Sequence, residues 1–84
     1  MDVQAELKKC AIEYVKGEKS LADCSVPGIK WSALRRALIF TKKYYSAKIK
    51  DRAAGSSMLL EKKRAESRFW LETGHKWPSI DGEI

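Results

Sequence analysis

The chain is short of several things that catalysis, metal binding or membrane insertion requires. Its 84 residues include two cysteines, one histidine, two prolines and five glycines. No stretch approaches the roughly 20 apolar residues of a membrane span. The opening Met1-Asp2-Val3-Gln4 lacks the basic and apolar regions of a signal peptide. The expectation is therefore an intracellular protein, cytoplasmic or nuclear. In that setting Cys10 and Cys24 read as reduced thiols, with a disulfide the lesser reading. A structural zinc site wants four ligands, usually in close pairs. Cys10, Cys24 and His75 supply no such pair, so no metal is expected, and Cys10 reads as a small core hydrophobe.

Catalysis is disfavoured on similar grounds. A chain of this length buries only about 60–65% of its unfolded surface, and a deep cleft is hard to carve from so small a core. His75 has no evident nucleophile partner. The Gly-rich runs that cradle phosphates are missing. The expectation is a non-enzyme with no cofactor.

What is present is an ordinary globular composition, with 44% hydrophobic, 10% aromatic and 33% charged residues. The periodicity is helical throughout, which predicts an all-α fold. We expect one domain over residues 1–84: a small bundle of three main helices, a short fourth helical turn and an irregular C-terminal tail. The first helix should run from about Asp2 to Lys16, with Val3, Leu7, Cys10, Ala11, Tyr14 and Val15 on one stripe and Gly17 as its stop. Ser20 should cap a short helical turn bearing Leu21 and Cys24, and Pro27-Gly28 punctuates; a hairpin there is the competing reading.

The second helix should extend from Trp31 or Ser32 to Asp51 or Ala53, with Ser32 as N-cap and Gly55 as its end. Leu34, Leu38, Tyr45 and Ile49 form one apolar line on it; Ala37, Phe40, Tyr44 and Ala47 form a second. Ser56 or Ser57 should cap a third helix from about Met58 to Thr73, with Met58, Ala65 and Phe69 inward and the pairs Lys62/Glu66 and Arg68/Glu72 outside. Trp77 and Ile80 should pin the tail, with a turn at Asp81-Gly82. Trp70 is the aromatic most expected to be exposed.

Charge is the most informative feature. Lys plus Arg number 17 and Asp plus Glu 11, a net of 17 − 11 = +6. Residues 1–29 carry four lysines against five acids, and residues 55–84 five bases against five acids. Residues 30–54 carry eight bases against Asp51 alone, a net of +7. Within this segment Arg36, Lys43 and Lys50 recur every two helical turns, and Arg35 and Lys42 form a parallel row. Like charges so spaced repel. A polyanion would relieve them by releasing its own condensed counterions.

The candidate contact residues are Lys30, Arg35, Arg36, Lys42, Lys43 and Lys50. The lysines would supply backbone attraction, and the two arginines would approach base edges or phosphates. The expected partner is DNA or RNA, DNA preferred, with a regulatory role. Dimerisation fits, because one short helix gives little specificity alone. No membrane partner is expected, since the apolar face of the second helix is needed for the core.

The other reading is a structural or adaptor protein, such as a virion or phage assembly component or an inhibitor. There the basic stripe would dock on an acidic protein surface, with Trp70 and Trp77 as anchors.

Residues 11–38 resemble small helix-turn-helix domains of the pipsqueak and resolvase type, on Ala11, Val15, Gly17, Ser20, Leu21, Val26, Pro27, Ala33, Leu34, Arg35 and Arg36. The resemblance covers about a third of the chain, and its second helix would be about four residues short of the motif's usual length. It implies that the second main helix is a recognition helix, with Arg35 and Arg36 near the nucleic acid.

Overall fold

The computed structural model describes residues 2–84, the side chains of 52–54 excepted. Met1 and the side chain of Arg52, both counted above, lie outside the described residues. The architecture is all helical. It comprises α1 (Val3–Val15), a 3-10 turn at Leu21–Asp23, α2 (Trp31–Lys50) and α3 (Arg52–Thr73).

Helix α1 starts where Asp2 stays extended and its carboxylate accepts the Gln4 N–H at 3.0 Å, the arrangement that satisfies an otherwise orphan donor. It ends at Gly17, whose φ of 80° is the left-handed conformation that costs a residue with a Cβ. The Glu18 N–H then returns to the Glu13 carbonyl at 2.8 Å, closing the helix end. The stripe of α1 buries Leu7, Cys10 and Ala11.

The link to α2 is helical at Leu21–Asp23, as one of the two sequence readings has it. Ser20 begins that turn, with its hydroxyl donating to the Asp23 carboxylate at 2.8 Å. Cys24 and Val26 dip into the core. A turn at Pro27-Gly28 follows, closed by the Ile29 N–H on the Val26 carbonyl at 3.1 Å.

Helix α2 buries Ala33, Leu34, Ala37, Leu38, Thr41 and Tyr45. Two expectations fail on it. The N-cap residue is Lys30, without a side-chain cap, and Ser32 lies inside the first turn. Ile49 is 78% exposed, because it lies in the last turn of α2, beyond Tyr45, the last residue that the helix buries. Thr41 holds the middle of the buried stripe. Its hydroxyl donates back to the Ala37 carbonyl at 2.7 Å, so no polar atom is stranded.

The largest departure is at the second corner. Helix α2 stops at Lys50, and Asp51 alone, in extended conformation, separates it from α3. Gly55 therefore does not end α2, and neither Ser56 nor Ser57 caps α3: all three lie within α3. The sharp corner folds α3 back antiparallel along α2. At its closed end the two backbones nearly touch, since a Cβ on Gly55 would lie 2.9 Å from the Lys48 Cα. At the open end the Arg36 guanidinium meets the Glu72 carboxylate at 2.8 Å. Between them Ala65 and Phe69 of α3 are buried, and Lys62–Glu66 at 3.0 Å and Arg68–Glu72 at 3.2 Å form on the surface as expected.

The C-terminal segment closes the core. Trp77 packs edge-on to Phe69 with centroids 5.0 Å apart, and Ile80 is fully buried. Trp77 is thus a core residue and not the exposed anchor of the adaptor reading. The Tyr45 hydroxyl donates to the Asp81 carboxylate, Gln4 Nε2 donates to the Lys76 carbonyl at 2.8 Å, and Lys8 pairs with Glu83 at 3.1 Å. The tail therefore bridges α1 and α2. Each fully buried Leu, Ile or Phe of this core is worth about 1.5–3 kcal/mol of transfer free energy.

Gly55 gives a direct test of the corner. In an ordinary exposed helix, Gly→Ala stabilises by up to about 1 kcal/mol. Here the added methyl meets backbone, so Gly55→Ala should destabilise by about 1–3 kcal/mol, read as a lower urea midpoint at unchanged m-value.

Candidate functional site

Helix α2 turns its apolar stripe inward, so its cations line the outer side. Lys30, Arg35, Lys43 and Lys50 are exposed, while Arg36 and Lys42 are half-buried. The structure brings Lys42, Lys43 and Lys50 together around one groove, whereas Lys30, the N-cap residue of α2, and Arg35 do not line it. Among the described residues, no carboxylate makes an ion pair with Lys30, Arg35, Lys42, Lys43 or Lys50. Glu13 pairs with Lys19 and Glu66 with Lys62.

Arg36 differs. It is tied to Glu72, which also receives Arg68. The Arg36 guanidinium, donating to the Glu72 carboxylate, holds that carboxyl below the usual carboxylate range against the opposing effect of desolvation, and Arg68 adds to it.

Three of the remaining five cations lie over rings. The Arg35 guanidinium lies 5.8 Å from the Trp31 centroid, Lys42 Nζ 4.7 Å from that of Tyr14, and Lys43 Nζ 5.4 Å from that of Phe40. Such contacts are worth about 0.5–1 kcal/mol at exposed sites. They restrict the side chains while leaving the charge open to water.

Sequence reasoning missed what lies between these lysines. An open groove of ≈ 490 Å³ runs beside α2. Its floor is Tyr14, Ile39, Ala47 and Met58, and Lys42, Lys43 and Lys50 stand around it. Tyr14, Ala47 and Met58 had been assigned to the core. The legible signal was Ile39, an apolar residue one turn beyond Arg35, inside the basic row.

The other candidate chemistries acquire no constellation. Among the described residues, no three of His, Cys, Asp and Glu gather where they could hold a metal, and no helix is long and apolar enough to cross a membrane. Cys10 and Cys24 are both free and buried. Burial pushes both thiols up. Trp70 is 53% exposed, with Lys76 Nζ 5.1 Å from its ring centroid. The place that the helix-turn-helix resemblance gives to a second helix is occupied by the three-residue turn Leu21–Asp23. Compared with known proteins, the chain significantly matches no family model, no curated protein and no solved structure.

Two outcomes follow. The folded pKa of Glu72 lies below its unfolded value of about 4.3, so its pairing stabilises the fold above that pH and fades as pH falls through the folded value. Glu72→Gln should lower Tm at pH 7, and the gap should close below about pH 4, as followed by circular dichroism. Because both thiols are buried and protonated, a thiol reagent such as dithionitrobenzoate should modify the native protein on the order of a hundredfold more slowly than the denatured chain.

Proposed function

We propose that this protein is a small nucleic-acid-binding module, with DNA as the preferred partner and the outer face of α2 as its contact surface. One observation carries the reading: Arg35, Lys42, Lys43 and Lys50 on α2, with Lys30 at its N-cap, have no carboxylate partner among the described residues. Mutual repulsion along such a row is relieved when phosphates replace the salt ions around it. The helix has 20 residues, about 30 Å of length. Lys30 and Arg35 lie at its first turns, the part of a recognition helix that approaches base edges. Arg35 can donate two hydrogen bonds to a guanine, and the lysines serve the backbone. Arg36 is held back by Glu72 and contributes less than the spacing alone suggests. The support is charge placement on α2 and does not rest on a helix-turn-helix arrangement.

Titration against duplex DNA, RNA and heparin at two salt concentrations tests this reading. Binding should weaken steeply with salt, and Lys43→Ala should flatten the slope by about one. Glu72→Gln should bind more tightly, because it releases Arg36. Absence of binding at low salt, or a slope indifferent to Lys43→Ala and Arg35→Ala in folded variants, would remove the proposal.

A further inference from the structure

We propose that the groove beside α2 is a second docking site, which takes an acidic amphipathic helix of a partner protein. Its floor is aliphatic and aromatic, and its charges are all positive: Lys42, Lys43 and Lys50. A phosphate backbone can satisfy those lysines but leaves Ile39 and Met58 in water. A ligand complementary to the whole groove carries carboxylates and apolar side chains together.

The geometry favours a helix as the carrier. Lys43 and Lys50 are seven residues apart on α2, about 10 Å along its axis. That distance equals the rise between residues i and i+7 of a facing helix, whose positions i+3 and i+4 then lie over the floor between the lysines. The groove is open along its length and does not enclose its contents, which suits an apolar helix face laid into it. The Lys42 and Lys43 ammonium groups, already placed over Tyr14 and Phe40, stand ready at the rim. Because the lysines are shared, such a segment and nucleic acid compete for them, whereas Lys30 and Arg35 are not among the groove-lining residues.

The site is tested on the full chain by fluorescence anisotropy, with a labelled synthetic helix of about 20 residues bearing leucines on one stripe and glutamates beside it. A peptide of the same composition with its stripe scrambled is the control. The striped peptide should bind and the scrambled one should bind about tenfold more weakly. Ile39→Ala with Met58→Ala should weaken the striped peptide to a similar degree without changing duplex DNA affinity. Arg35→Ala should weaken DNA alone. Methyl NMR of the unaltered protein, with Ile39 and Met58 shifting on addition of the striped peptide, supplies a readout should the double variant fail to fold.

Equal affinity for both peptides, or peptide binding that leaves those methyls unmoved, overturns the proposal. So does a result in which phosphatidylglycerol vesicles, and not the peptide, depend on Ile39 and Met58. Failure of DNA binding with peptide binding intact would sink the nucleic-acid reading and leave this one standing.

Discussion

The close antiparallel packing of α3 on α2 is the constraint from which the rest follows. A one-residue corner at Asp51 leaves no slack, so the two backbones must nearly meet where Gly55 faces Lys48. Once that end is closed, helical periodicity dictates the remainder. Ala65 and Phe69 face α2 inward, and Glu72 arrives opposite Arg36. Helix α1 and the Trp77–Ile80 segment then fill the other flanks. The cations of α2 stand on a side left to water.

That outcome explains why the positive charge is concentrated yet stable. A row of lysines and arginines on one helix is self-repelling, and the fold does little to neutralise it. Of the six cations considered, only Arg36 receives a carboxylate among the described residues. Arg35, Lys42 and Lys43 lie over rings, which steady a cation without cancelling its field. The surface is consequently attractive to anions, and its apolar floor adds a second kind of complementarity that a uniformly polar face would lack. On the readings proposed above, nucleic acid and an acidic helix would draw on the same lysines by different physics: counterion release in one case, burial of apolar surface in the other.

Much of the architecture was legible because local rules and tertiary packing agree. The Gly17 stop, the buried stripe of α1 and the turns at Pro27-Gly28 and Asp81-Gly82 all follow from neighbouring residues. The errors cluster where a local signal was overruled. Gly55-Ser56-Ser57 reads as a break and a cap, yet the glycine is there for a close approach and the serines lie inside a helix. Trp77 pins the tail and Trp70 stands in water as expected, and the fold adds Phe69 as the ring on which Trp77 packs.

The amino-acid order by itself determined the helical class, the number of main helices and the gathering of positive charge on one of them, since period, caps and charge are properties of residues near each other in the chain. Tertiary structure alone decided which cations keep their charge open, that Arg36 is engaged by a residue 36 positions away, and that Tyr14, Ile39, Ala47 and Met58 form a common floor. These depend on distances between separate helices, and no local rule sets such a distance until the helices have packed.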